Sequence, residues 1–430
     1  MNLDILTAII LEQQHLIKNL KISPREYSFE QGFDYVLVGL RRAGKSYLLF
    51  QQAQELVANG ADLSQIIYIN FEDERLVDFQ LQDFNEIIVA ANQISPAKHY
   101  YFFDEIQNVD GWERFARRMA DQKETVYLTG SNSKMLGRDI LMRLGGRYLV
   151  KYVSPFNFTE YLTAKQIPHQ RLDLLTATSK GQVNAALNDY LSFGGLPEAT
   201  FLASKRDYLN SIYQGIYLAD IVVRNSIRNP AALRLMVKKI AETVMHEISY
   251  TKLTNAIKSG GVRIGKNSVI DYAGYAQDAY LLFQTSNYFD KFSNRESLPR
   301  FYFTDNGLLN IFLVNHSAAL LENQVAVKLF NQYQSGVYYL KSGKTGIDVD
   351  FYVPAMKMAI QVAWTLESNT RQREIEGLVK LANSFEQVDQ LIVVTKGDSR
   401  ETIHQDGVAI QVLPLTDFLL DHSQTSKLKK

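Results

Sequence analysis

The chain has 430 residues, with 46 basic and 46 acidic side chains and no cysteine. That length implies about two to four domains, and 46% hydrophobic with 21% charged residues is an ordinary globular balance. The zero net charge gives no bulk argument for a polyanionic partner. The missing cysteines exclude disulfides and thiolate metal sites and fit a reducing, cytoplasmic setting.

Met1 to Gln13 is apolar, carries Asp4 and Glu12 and lacks a basic leader, so it reads as a helix and not as a signal peptide. No stretch approaches the roughly 20 apolar residues of a membrane span, and no membrane partner is expected. Strands are predicted at Tyr35–Val38, Ile66–Phe71, His99–Asp104 and Val126–Thr129, with helices over Tyr47–Val57 and Trp112–Met119. Continuous β-branched and aromatic runs separated by helices predict an α/β domain with a parallel sheet covered on both faces. From Leu172 to about Asn229 the pattern is mostly helical, broken at Gly194–Pro197, and Ala232–Leu282 is helical with a break at Ser259–Gly261. Beyond Leu298 strands return at Phe301–Phe303, Val337–Leu340, Val349–Val353, Ala359–Val362 and Gln390–Thr395, with helices Ala318–Tyr333 and Thr370–Asn383 among them. The tail from Ser423 is polar and basic and is expected to fray.

Gly39-Leu40-Arg41-Arg42-Ala43-Gly44-Lys45-Ser46, followed by Tyr47, fits G-x-x-x-x-G-K-[ST] and lies between a strand and a helix. Glycines let backbone N–H groups curl round phosphates without a Cβ clash. The helix N-terminus adds partial positive charge. Lys45 is expected to reach the β- and γ-phosphates of ATP, and Ser46 to offer its hydroxyl to Mg²⁺.

The strand Tyr100–Asp104 ends in Asp104-Glu105. Asp104 is the expected second holder of Mg²⁺, and Glu105 the group that orients or deprotonates the attacking water. After the next strand, Asn132 or Ser131 is the candidate sensor of the γ-phosphate or lytic water. Of Arg138, Arg143 and Arg147, the last, behind Gly145-Gly146, is the preferred arginine finger, acting in cis or in a neighbouring subunit of a homo-oligomer.

These features, with Tyr68–Leu76, Phe103–Gln107, Leu128–Asn132, Pro155–Tyr161 and Gly194–Pro197, resemble a family of bacterial and archaeal AAA-type ATP-binding proteins with a C-terminal domain of unknown function. The resemblance covers nearly the whole chain and is tighter in the first half. It implies an AAA-type P-loop domain (1–165), a helical lid (166–230), a winged-helix-like unit (231–300) and a PD-(D/E)xK nuclease-like domain (301–430). It also places Glu72 and Asp73 beside the nucleotide. In the nuclease-like domain Asp350 and Glu322 match two acid positions, but Gln361 and Ala363 stand where the second strand acid and the lysine belong. An inactive nuclease fold is therefore expected, since Gln361 offers only a neutral carbonyl to a cation and Ala363 nothing.

Tyr250–Ile270 carries Lys252, Lys258, Arg263 and Lys266 and no acid, in a helix–turn–helix-like pattern with Asn267 and Ser268 opening the second helix. Its basicity suits double-stranded DNA. The expected function is hydrolysis of ATP to ADP and phosphate as a conformational switch that moves the lid. The alternatives are an ATP-regulated DNA-binding protein, an ATP-controlled nuclease and a protein scaffold.

Overall fold

Alternate residues of each short apolar run face opposite sides of a strand, and that alternation builds the two cores of the N-terminal unit. A computed structural model describes residues 1–130, 144–170, 176–314, 317–397 and 399–420. They form two compact units, Met1–Pro155 with Asp278–Tyr280, and Phe156–Gln277 with Leu281–Lys430.

The first unit runs α1 (Leu3–Asn19), β1 (Asp34–Val38), α2 (Lys45–Ala58), β2 (Ile66–Asn70), α3 (Phe84–Ile94), β3 (Tyr100–Asp104), α4 (Trp112–Asp121), β4 (Thr125–Gly130) and β5 (Tyr148–Tyr152). The sheet order is β2-β3-β4-β1-β5, with every pair parallel. Val36, Val38, Ile67, Ile69, Phe103 and Leu128 face a core shared with Leu6, Ile9 and Ile10 of α1, with α3 and with α4. Tyr35, Leu37, Ile66, Tyr68, Phe102 and Tyr127 face the other core, with Leu48, Leu49 and Ala53 of α2. Each fully buried aliphatic or aromatic side chain stabilises the fold by about 1.5–3 kcal/mol. The parallel order also brings all five strand C-termini to one edge, where ligands of such sheets bind.

In the second unit, α5 (Phe158–Ala164), α6 (Ala177–Phe193) and α7 (Lys205–Gly215) come first, and α7 continues as a π-helix over Ile216–Val223. Next are α8 (Pro230–Glu242), α9 (Tyr250–Ser259) and α10 (Lys266–Asp278), then the antiparallel strands β6 (Leu282–Asn287) and β7 (Arg300–Phe303). After α11 (Asn306–Asn310) and α12 (Ser317–Tyr333) come β8 (Tyr338–Ser342), β9 (Ile347–Val353), β10 (Met358–Ala363), α13 (Ser368–Ser384), β11 (Gln390–Thr395), β12 (Glu401–Gln405) and β13 (Val408–Pro414). The sheet order is β12-β13-β11-β10-β9-β8-β6-β7, antiparallel through β8-β9-β10 and parallel through β10-β11-β13.

Strands thus return earlier than the sequence pattern indicates, at Leu282, because β6 mixes polar and apolar residues and follows directly on a helix. The Gly194–Pro197 break is held by a buried carboxylate. Asp305 accepts the N–H groups of Gly195 at 2.7 Å and Gly307 at 2.8 Å. Burial pushes the Asp305 pKa up to about 6, against the pull of those amides. No helix among the described residues is long and apolar enough to cross a membrane.

Candidate functional site

The loop that follows β1 is built from backbone conformations other residues resist. Gly39 has φ +150° and Gly44 φ +97°, and a Cβ on Gly39 would lie 2.2 Å from the Val153 carbonyl oxygen. Arg42, between them, is also left-handed at φ 63°. Leu40 and Ala43 are buried, while Arg41 is half-buried and Arg42 exposed. Gly44 caps α2, so Lys45 and Ser46 occupy its first turn, where N–H groups lack helical acceptors. The Lys45 ammonium is buried and donates to the carbonyls of Gly39 at 3.1 Å and Leu40 at 3.2 Å. Tyr47 faces out from the same turn, 48% exposed.

Two strands away, Asp104 closes β3 with its carboxylate 2% exposed. Its Oδ2 accepts the Tyr68 hydroxyl at 2.7 Å, and its Oδ1 accepts the Thr129 hydroxyl. The Ser46 hydroxyl acts on the same carboxylate and favours its charged form, so the loop and the acidic strand end converge on one point. Burial raises the Asp104 pKa most, and the Glu105 charge adds to it; the hydroxyls of Thr129, Ser46 and Tyr68 oppose both. A buried carboxylate so raised is one that a cation would stabilise strongly. Ser46 and Asp104 thus supply two convergent hard oxygens, a donor set that fits Mg²⁺.

Glu105 lies just past the strand with φ 51° and ψ 44°. A left-handed non-glycine residue costs about 1–2 kcal/mol, and such strain gathers at functional positions. Its amide donates to Thr129 Oγ1 at 2.9 Å, and its carboxylate accepts from Gln107. Glu72 belongs to the same cluster: burial raises its pKa, followed by the Glu105 charge, while Arg41 counteracts both. Asp73 is spent elsewhere, on the Arg75 amide at 3.0 Å and the Arg75 guanidinium at 2.7 Å.

Ser131 and Asn132 lie outside the described residues, as do Arg138 and Arg143. Gly130 ends β4, between β1 and β3, so the chain leaves that strand at the right edge. Arg147 is among the described residues. Asp34 pairs with Tyr148 and Val38 with Tyr152, so Arg147 precedes β5 at the sheet edge opposite the phosphate loop. At about 3.3 Å per residue the two edges are some 13–17 Å apart. There Arg147 Nε donates to Asp121 at 2.6 Å, at the end of α4. The sequence reading missed Tyr68 and Thr129. Both sit inside apolar runs and read as core, and only the strand order shows that their hydroxyls meet Asp104.

In the second unit, Asp350 on β9 and Glu322 on α12 are both buried. The register Ile360↔Phe351 sets Gln361 beside Asp350 across β9 and β10. A buried cation already serves Asp350: Arg300 donates to it at 3.4 Å and to the nearby Asp348 at 2.9 Å. Glu322 Oε1 accepts the Tyr302 hydroxyl at 2.9 Å. Burial, aided by the Asp350 charge, raises the Glu322 pKa well above the usual carboxylate range. Among the described residues no group of three or more His, Asp or Glu could hold a metal ion.

Comparison with known proteins agrees with the first unit's geometry. The family described as AAA domain matches residues 34–162, and a domain of unknown function (DUF8612) matches residues 184–319. The uncharacterized protein MJ1544 of Methanocaldococcus jannaschii is 30% identical over 96% of this chain and 95% of its own length. An uncharacterized protein of Haemophilus influenzae is 27% identical over 90% of this chain and 94% of its own. Among solved structures, the Walker-type ATPase PABY2304 of Pyrococcus abyssi is 14% identical, over 70% of this chain and all of that one, at a TM-score of 0.44. The Aeropyrum pernix Orc1 protein in complex with DNA is also 14% identical, over 75% of this chain and 93% of that one, at 0.28. Scores that low carry no structural argument. The near full-length match to MJ1544 does: the chain belongs to the same family as that protein, with archaeal and bacterial homologues, and carries an AAA domain of the P-loop ATPase kind followed by a domain of unknown function.

Proposed function

We propose that the chain binds ATP with Mg²⁺ at Gly39–Ser46 and hydrolyses it to ADP and phosphate, using the cycle as a conformational switch. The observation that carries this reading is the buried Asp104 carboxylate, held by the Tyr68 and Thr129 hydroxyls and stabilised by Ser46 of the phosphate loop, next to a strained Glu105. Loop N–H groups and the α2 N-terminus would hold the phosphates. Lys45 would exchange its carbonyl partners for phosphate oxygens. Ser46 and Asp104 would hold Mg²⁺, which when bound neutralises charge on the phosphates. Glu105 would take the proton of the attacking water, its backbone fixed by the hydrogen bond from its N–H to Thr129 Oγ1. Arg147, absent from this edge, is left to serve a neighbouring subunit or α4 alone. The test is phosphate release from ATP by the purified chain with Mg²⁺, with Lys45→Ala as the variant expected to lose nucleotide.

A second reading adds DNA as a regulator. Helices α8, α9 and α10 followed by the β6–β7 hairpin have the order of a winged helix, and Lys252, Lys258, Arg263 and Lys266 are all exposed. A mobility shift with double-stranded DNA at low salt tests it, and no shift rejects it. The nuclease alternative finds less support. The sequence α12-β8-β9-β10-α13-β11 suits a PD-(D/E)xK-like fold, but Arg300 holds Asp350 and Gln361 and Ala363 supply no charge. We read it as an inactive module for binding or assembly.

A further inference from the structure

Arg25 lies in the segment between α1 and β1, outside every motif of the sequence, yet it is 6% exposed and reaches the phosphate loop. Its backbone is pinned to α2, with its amide donating to Gln51 Oε1 at 2.8 Å and its carbonyl accepting from Gln51 Nε2 at 3.1 Å. One guanidinium nitrogen donates to the Ala43 carbonyl at 3.0 Å, and the other to the Ser154 carbonyl at 2.8 Å. Tyr27 completes the arrangement: its hydroxyl accepts the Ser154 amide at 3.2 Å, and its ring lies 5.2 Å from the Arg25 guanidinium. The loop's other end touches the same strip of chain. Gly39 packs against the Val153 carbonyl, and the Val153 amide donates to Val38 at 2.7 Å.

We propose that Arg25 and Tyr27 form a clasp that positions the phosphate loop and couples its occupancy to the Val153–Ser154 backbone, just before the chain leaves the first unit. The coupling rests on the ATP reading above. Its physical basis is the planarity of the peptide bond. The Ala43 carbonyl and the Gly44 amide share one plane and point in opposite directions. Arg25, by holding the carbonyl, therefore aims the amide at the place a phosphate would take. A phosphate that turns the amide also turns the carbonyl, and the rigid guanidinium fork passes that movement to Ser154. Lysine, with one ammonium on a flexible stem, keeps the charge but cannot bridge both carbonyls in fixed geometry.

Hydrogen exchange over residues 149–154, with and without a non-hydrolysable ATP analogue and Mg²⁺, tests the clasp in the full-length chain. Wild-type protein should show slower exchange there when the analogue is bound, by about fivefold or more. Arg25→Lys and Tyr27→Phe should bind the analogue, as a fluorescent nucleotide titration will show, and lose most of that difference. Thermal denaturation establishes that each variant is folded, and if Arg25→Lys is not, Tyr27→Phe decides. A difference of wild-type size in either folded, nucleotide-binding variant overturns the proposal. Wild-type protein that binds the analogue with unchanged exchange overturns the coupling and leaves the ATP reading standing. Wild-type protein that binds no analogue overturns both.

Discussion

The Thr129 hydroxyl donates to Asp104 at the end of the neighbouring strand, and its oxygen also accepts the Glu105 amide at 2.9 Å. One side chain on β4 therefore holds both the Asp104 carboxylate and the Glu105 backbone. Replacing it with valine keeps the shape and removes both bonds. The buried carboxylate and amide are then short of a partner, at about 1–3 kcal/mol. Thr129→Val should lower ATP turnover roughly 10- to 100-fold, with a smaller change in nucleotide affinity. Steady-state kinetics beside a binding titration separates the two.

Gly39→Ala should destabilise the first unit and abolish nucleotide binding. Its Cβ would meet the Val153 carbonyl at 2.2 Å in a backbone region that alanine avoids. Overpacking of this kind costs about 1–3 kcal/mol, before the strain at φ +150° is added. Urea denaturation gives the first quantity and nucleotide titration the second.

Arg147→Ala should leave turnover unchanged in any assay where the chain acts alone. Its ion pair with Asp121 is partly exposed, so stability should change by no more than about 1 kcal/mol. If Arg147 serves a neighbouring subunit, the wild-type rate per chain must fall on dilution, and the variant's rate must not. A variant rate lower by the same factor at every protein concentration would contradict the placement of Arg147 away from the loop.

Glu322 gives a pH signature. Its pKa is raised from 4.5 to about 8, first by burial and then by the Asp350 charge. Between those values the folded chain keeps a proton that the unfolded chain has released. This group's contribution to stability therefore falls as pH rises from 4.5 to about 8, and levels off above. Glu322→Gln keeps an acceptor for Tyr302 and does not titrate. Its melting temperature relative to wild type should climb steadily across that window, and a constant offset would contradict the assignment.

Much of the first unit is legible in the sequence because its signals are local. A strand, a Gly-rich loop and a helix start are contiguous from Asp34 to Ala58, and Asp104-Glu105 is marked by the apolar run before it. What is not legible depends on strand order. Tyr68 and Asp104 are 36 residues apart, and Thr129 and Asp104 25; each hydroxyl sits in a run that reads as core. Gly145-Gly146 singles out Arg147 in the sequence, and only the register of β5 on β1 shows that it stands at the far edge. In the second unit the losses at Gln361 and Ala363 are visible from spacing. Arg300 as the resident cation is not, since Asp348 and Asp350 lie 48 and 50 residues away.

ATP hydrolysis by wild-type and Glu105→Gln protein, with nucleotide binding measured on the same samples, tests the central claim most directly. The account predicts Mg²⁺-dependent phosphate release by the wild type, and a variant that still binds ATP but turns it over at least about 100-fold more slowly. A variant that keeps the wild-type rate, or a wild-type chain that binds no nucleotide, would contradict it.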